Sequence, residues 1–434
     1  MMQPWFLDAK FGIFIHWGIY STGRTSESWA FFNNEISHAD YMAQAKEFTA
    51  AKYDPEEWAR LFAEAGAKYA VLTSKHHDGF ALWDTKLSKL NSVEGAPAGR
   101  DLMGPYCEAL RRHGLKVGIY FSHLDWSHPD YATVLPKGKQ PHNHGNLHKN
   151  PFGYPQNGEH PERWERFLEF QRGQLKELCT KYRPDLLWFD GDWERDEEQW
   201  RFEELRNLLH SWCPNVILNS RMGKHGDYGT PEQAIPVQKP GGWNATVPWE
   251  FCVTMNDSWG YQLKDKNHKT PRQCVRMLAE CAGTGGNLLL DVGPKADGSL
   301  QVEQVETLRE MGTWMKRNAE AIHATEAGLP HGHFYGASTM NKARDVIYLI
   351  TFDRPIDSVA VKGIRNNVQR ASVLGGPELK QRKIGGAPWA HLPGVLWIDV
   401  PGEAVDPLAT VIKVELEGPL DLYTGAGDAV TFNH

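Results

Sequence analysis

The feature that most constrains this chain is an alternation. Short, almost wholly apolar runs recur along its first 330 residues, separated by stretches with helical periodicity. Phe11–Trp17, Tyr69–Ser74, Lys116–Ser122, Asp185–Asp190, Asn215–Asn219 and Asn287–Val292 read as strands, with a seventh near Trp249–Thr254. Runs this apolar fit strands buried on both faces, as in parallel sheets covered by helices. Helical patterns lie between them at Asp54–Ala65, Asp101–His113, Arg163–Lys181, Trp200–Trp212, Pro271–Gly283 and Gln301–His323. The first has Asp54 at the N-cap and Pro55 at the first helical position. Six or seven such units exceed one Rossmann half, so the expected class is α/β, an irregular (β/α)8-like TIM barrel.

Past residue 330 the pattern changes to alternating segments, Asp345–Phe352, Ser358–Lys362, Val395–Val400 and Thr410–Glu417, with Gly/Pro turns between them. That is the signature of an antiparallel β-sandwich. The expected organisation is a barrel over residues 1–330 and a β-sandwich over 331–434, as a length of 434 residues allows. A polar stretch, Pro136–Pro161, follows the third strand and reads as a large loop framing the barrel mouth.

Composition narrows the partners. Lys and Arg total 47 against 54 Asp and Glu, a net charge of −7, with no long basic run. This argues against nucleic-acid and anionic-membrane surfaces and for a small, weakly charged ligand. Seventeen tryptophans are an unusual number, and indole faces suit the C–H faces of sugar rings. No window has the roughly 18 apolar residues of a membrane span, and Met1–Gly23 lacks a secretory pattern. The chain as written reads as cytoplasmic, or as periplasmic or secreted if a signal segment has been removed. Six cysteines without C-x-x-C spacing read as reduced core thiols.

In a barrel, chemistry gathers at the C-terminal strand ends. Here those ends carry His16-Trp17, His76-His77-Asp78, His123, Asp190, Arg221 and the Glu250 segment. Asp190 is the sharpest, a carboxylate directly after four apolar residues and before Gly191, where folding alone calls for no charge. A carboxylate nucleophile for glycoside cleavage needs a second carboxyl, about 5–5.5 Å away in retaining enzymes. Two partners are available. Glu232 lies in a loop after Arg221, and Glu250 sits beside Trp249 ahead of an apolar stretch that would raise its pKa toward a general acid's.

Metal chemistry has weaker support. His76 and His77 are consecutive on a strand end, so their side chains are expected to diverge, and His142, His144 and His148 lack a carboxylate or thiolate framework. Lys75–Phe80 better suits hydroxyl recognition, with Phe80 and Trp83 as apolar walls. Gly283–Gly286 precedes a strand, so it is no dinucleotide-type phosphate loop, and there is no G-x-S-x-G elbow.

Five motifs then converge on one family: Trp5–Gly18, Ala67–Phe80 with its Lys75-His76-His77-Asp78-Gly79-Phe80 core, Leu187–Gly191, Trp249-Glu250 with Ser258–Tyr261, and Gly285–Pro294. With these the chain resembles a bacterial α-L-fucosidase of the retaining glycoside hydrolases, over nearly its whole length. The resemblance implies a barrel followed by a β-sandwich and neither metal nor cofactor. It assigns the nucleophile to Asp190. It sets His16, His76, His77 and Trp188 around the fucose ring, Arg221 nearby and Trp259 against the C5 methyl. The acid/base is implied less directly: Glu232 comes first and Glu250 is the reserve. Many members carry Glu-Trp after the first strand, whereas this chain reads Ser26-Glu27-Ser28-Trp29. Trp29 matches and Ser28 departs, which keeps an L-galactose-like sugar open beside fucose.

The expected reaction is release of α-L-fucose from a small or oligosaccharide substrate through a glycosyl-aspartate, with the second carboxyl acting as acid and then base. The rival readings are a non-catalytic, lectin-like fucose-binding barrel and, third, a metal-dependent hydrolase.

Overall fold

The computed structural model describes residues 2–131, 161–237 and 247–425. The segment 136–161, apart from Pro161, and with it the His142, His144 and His148 cluster, lies outside the described residues. Seven strands, β1 (Phe11–Ile15), β2 (Tyr69–Lys75), β3 (Lys116–Ser122), β4 (Leu186–Asp190), β5 (Ile217–Leu218), β7 (Glu250–Thr254) and β8 (Asn287–Val292), form one sheet; β6 (Arg221–Lys224) lies outside it. The order is β5-β4-β3-β2-β1-β8-β7, and every pairing is parallel. Burial on both faces explains the unbroken apolar runs that announce these strands.

This sheet curls. Seven flat strands at ~4.8 Å spacing would hold their edges nearly 30 Å apart. Instead Ile217 of β5 and Cys252 of β7 share one apolar cluster with Phe14, Val71, Tyr120, Trp188 and Leu289. The gap between the edges is spanned by Tyr228–Glu232, which bridges Asn219 on one side and Trp249 and Cys252 on the other, always parallel.

Helices pack outside, and their caps follow the sequence. Asp54 accepts from the amides of Glu56 and Glu57 at the start of Pro55–Glu64, and Thr270 forms a reciprocal cap with Gln273 at the start of Pro271–Gly283. Two expected helices are shorter. Arg201 adopts φ 53° and separates Glu197–Trp200 from Phe202–Trp212. The last helix spans Val302–Asn318 and passes into a 3-10 turn at Ala319–Ala321.

Beyond these, antiparallel sheets of five and three strands include the four expected segments, at Val346–Thr351, Ser358–Val361, Val395–Asp399 and Thr410–Leu416. Ala337–Met340, Val368–Val373 and Gln381–Ile384 join them without having been expected. The last is wholly exposed, so it lacks the alternation that reveals a half-buried strand. The two sheets share an apolar cluster through Ile347, Leu349, Val361, Leu396, Ile398 and Ile412. All six cysteines are buried free thiols. Among the described residues, no helix is long and apolar enough to cross a membrane.

Candidate active site

The parallel register places Asp190 at the C-terminal tip of β4, opposite Ser122 of β3. Its side chain keeps 15% exposure and receives two hydrogen bonds, from Tyr120 Oη to Oδ2 at 2.9 Å and from Arg221 Nη1 to Oδ1 at 2.9 Å. The other terminal nitrogen of the guanidinium, Nη2, donates to Glu232 Oε2 at 2.6 Å. One cation therefore spans two carboxyl groups. With terminal nitrogens roughly 2.3 Å apart, the fork bounds the separation of the two acceptor oxygens at about 8 Å, a span that includes the retaining distance.

The two acids differ in setting. Glu232 is more exposed than Asp190, and its carboxyl is pushed up by partial desolvation and by the charge of Asp190, against the pull of Arg221. Both acids raise Arg221 above its ordinary value. Glu250 is wholly buried at the first position of β7, paired with Asn287 at the start of β8. Tyr69 Oη and Trp188 Nε1, the latter at 2.9 Å, donate to its two oxygens, and burial pushes its carboxyl up to about 7. The register thus separates Glu250, at the N-terminal end of its strand, from Asp190 and the C-terminal tips.

Two histidines, His76 and His77, lie beside the nucleophile candidate, and a third, His16, adjoins His76. His77 Nδ1 meets Ser122 Oγ at 2.6 Å, while its buried Nε2 has no hydrogen-bond partner and stands 3.6 Å from Asp190 Oδ2. His76 Nδ1 is bonded to Ser28 Oγ, which also accepts from the Asp78 amide at 3.1 Å. His16 Nδ1 lies 2.7 Å from Asp291 Oδ1, inside the sheet. Burial lowers all three imidazoles well below their ordinary value, reinforced at His16 by His76, at His76 by His77 and at His77 by Arg221. Neutral rings with one nitrogen anchored can donate to or accept from sugar hydroxyls with the other.

The expected divergence of His76 and His77 is corrected. Their rings approach to 4.2 Å between centroids, because β2 ends at Lys75 and the chain leaves strand geometry before the two histidines. Strand alternation therefore no longer applies to them. One candidate ligand atom from each of His76, His77 and Asp190 lies within 4.8 Å of the others, so the trio could in geometry accept an ion. The guanidinium on the same carboxylate competes for that place.

Aromatic rings form the remaining surfaces. Trp188 stacks on Tyr120 at 5.7 Å, and Trp259 lies 4.9 Å from His16. Trp29 stands edge-on to His77 at 5.5 Å and stacks on Trp193 at 6.0 Å. The expected residues His16, Trp29, His76, His77, Trp188, Asp190, Arg221, Glu232 and Trp259 are thus linked by direct contacts. His123 is not among them. It is buried, stacks on Phe189 at 4.6 Å and meets the Arg221 carbonyl at 3.0 Å, so it supports the backbone that carries the guanidinium.

Sequence reading missed Tyr120, Asp291 and Trp193, and it marked Ser28 only as a departure from the family pattern, not as the partner of His76. Asp291 carried the same signal as Asp190, a carboxylate within an apolar run. Tyr120 carried none, since a tyrosine inside a strand usually only packs. A separate cavity of about 850 Å³, walled by Phe334, Tyr335, Phe352 and Trp397, contains none of these acids.

The sequence profile of the family described as Alpha-L-fucosidase matches residues 1–320. An α-L-fucosidase of Dictyostelium discoideum is 30% identical over 409 residues, covering 86% of this chain and 83% of its own. This chain belongs to the α-L-fucosidase family. Among solved structures, α-L-fucosidase isoenzyme 1 from Paenibacillus thiaminolyticus superposes with a TM-score of 0.84 at 34% identity, covering 95% of this chain and 98% of its own. A family member from Bacteroides thetaiotaomicron, solved as a trapped covalent intermediate in complex with 2-fluoro-fucosyl fluoride, gives a TM-score of 0.81 at 26% identity, with 95% of each chain covered.

Proposed function

We propose that this chain is a retaining exo-glycoside hydrolase that releases α-L-fucose, or a closely related L-sugar, from a fucosylated small molecule or oligosaccharide. Family membership and a relative caught as a covalent intermediate support the reaction class. The observation that carries the residue assignment is the Arg221 fork holding Asp190 and Glu232 together.

In this reading the Asp190 carboxylate attacks the anomeric carbon and forms a glycosyl ester while Glu232 protonates the departing oxygen. Water, deprotonated by the same Glu232, then releases the sugar with its configuration retained. The raised Glu232 carboxyl suits an acid that must hold its proton beside an anion. Arg221 holds the pair in register. Tyr120 and His77 face the nucleophile, and His16 and His76 offer neutral nitrogens to ring hydroxyls as positive charge develops on the sugar. Trp29, Trp188 and Trp259 supply the apolar walls. Glu232 is preferred to Glu250 because it stands with Asp190 on one guanidinium.

The fold reading that goes with this is an irregular (β/α)8-like barrel, with Tyr228–Glu232 closing the gap between β5 and β7, over residues 1–330. A β-sandwich occupies residues 331–434. A lectin-like protein without turnover is disfavoured by the carboxyl pair and by the family.

Hydrolysis of aryl α-L-fucosides with good and poor leaving groups tests the assignment. Glu232→Ala should lose far more rate on the poor leaving group than on the good one. Equal losses on both would remove Glu232 from the acid/base role. The same assay with the corresponding L-galactoside decides between the two sugars.

A further inference from the structure

The proposed reaction gives the buried carboxyl of Glu250 no role. Glu250 has no exposed surface, and both its oxygens are engaged, by Tyr69 Oη and Trp188 Nε1. The packing makes room for this arrangement. Tyr69 lies on β2 and Glu250 on β7, three strands further round the sheet, and the phenol reaches across Gly12 of β1. A Cβ at Gly12 would stand 2.4 Å from Tyr69 Cζ, so a side chain there would block the path.

Trp188 connects this deep carboxyl to the chemistry. It lies two residues before Asp190 on β4, hence on the same face of the sheet. Its indole stacks on Tyr120 at 5.7 Å and 18°, packs on Phe14 at 5.0 Å, and lies 5.3 Å from the Arg221 guanidinium. Tyr120 and Arg221 are the two groups that donate to Asp190. The indole is therefore the shelf against which both partners of the nucleophile rest. A buried indole with one acceptor for its N–H has one favoured ring orientation; without that acceptor the shelf is free to turn.

We propose that Glu250 is a positioning residue: its carboxyl locks the Trp188 indole, and the indole in turn sets the Tyr120 hydroxyl and the Arg221 guanidinium against Asp190. The inference rests on Asp190 being the nucleophile of the glycosidase reaction. It gives Glu250 no contact with substrate.

The test compares Glu250→Leu, Glu250→Gln, Trp188→Phe and the double variant Trp188→Phe/Glu250→Leu on aryl α-L-fucosides with good and poor leaving groups, alongside thermal melting. Glu250→Leu should lower kcat about tenfold or more, equally on both leaving groups, with KM within about threefold. Glu250→Gln, whose amide oxygen still accepts from the indole, should recover most of that loss. The double variant should be no worse than Trp188→Phe by more than about threefold, because both single changes break one bond. Full additivity in the double variant would overturn the proposal, as would a Glu250→Leu protein that melts earlier but keeps its kcat. A loss concentrated on the poor leaving group would also overturn it and return Glu250 to an acid role. If Glu250→Leu does not fold, Glu250→Met carries the same expectations with a side chain that adapts to the site. The underlying reading fails separately, through an Asp190→Gly variant that keeps turning over.

Discussion

Replacing Glu250 by glutamine should remove a pH-dependent penalty on stability. Burial holds this carboxyl at about 7, against an ordinary value of 4.5. Between those pH values the native protein keeps a proton that the unfolded chain has lost. Unfolding then releases one proton, and stability falls by ~1.4 kcal/mol for each pH unit gained. The contribution is fully present below the unfolded pKa of 4.5 and is lost as pH rises through 7, a total of roughly 3 kcal/mol. Glutamine keeps the shape and an acceptor for Trp188 but cannot ionise. Other groups titrate over the same range. Asp78, raised to about 6 by burial, acts with the same sign, while the lowered histidines His16, His76 and His77 act with the opposite sign. All of these cancel in the difference between variant and wild type. Melting curves of both proteins from pH 5 to pH 8 should show the variant gaining on wild type as pH rises, by on the order of 3–5 °C. A constant offset across that range would refute the reasoning, because it would mean that Glu250 does not change its charge there.

Three further outcomes are expected. Asp190→Gly should lower turnover by at least about a thousandfold with little change in melting, and azide should restore part of the rate by attacking from the vacated side; an unchanged rate would remove Asp190 from the mechanism. Arg221→Lys keeps the charge but cannot hold Asp190 and Glu232 on one planar fork, so kcat/KM should fall about a hundredfold, whereas a conservative outcome would mean that charge alone suffices. Ser28→Ala removes the partner of His76 Nδ1 and of the Asp78 amide, and kcat/KM for the fucoside should drop about tenfold, equivalent to about 1–2 kcal/mol. A rate within error of wild type would show that the Ser28 position is silent in sugar recognition.

The parallel class, its strand sites and the nucleophile candidate were legible because each left a local mark. Strands buried on both faces must be apolar throughout, so β1, β2, β3 and β8 announced themselves, and a carboxylate at the tip of such a run stood out at Asp190. The exposed strand Gln381–Ile384 and the break at Arg201 left no such mark, one lacking a buried face and the other turning on a single backbone angle.

The ordering of the chain by itself could name Glu232 and Glu250 as alternatives, one in a loop after Arg221 and the other ahead of an apolar stretch. The packing gives them different surroundings. Register put Glu250 at the start of β7 beneath Trp188, and the Tyr228–Glu232 segment, bridged to Asn219 and Trp249, brought Glu232 onto the guanidinium that holds Asp190. Side-chain chemistry is written residue by residue, whereas the meeting of groups 42 and 70 positions apart depends on how strands curl and in what register they pair. That is why Tyr120 and the approach of His76 to His77 became visible only in three dimensions.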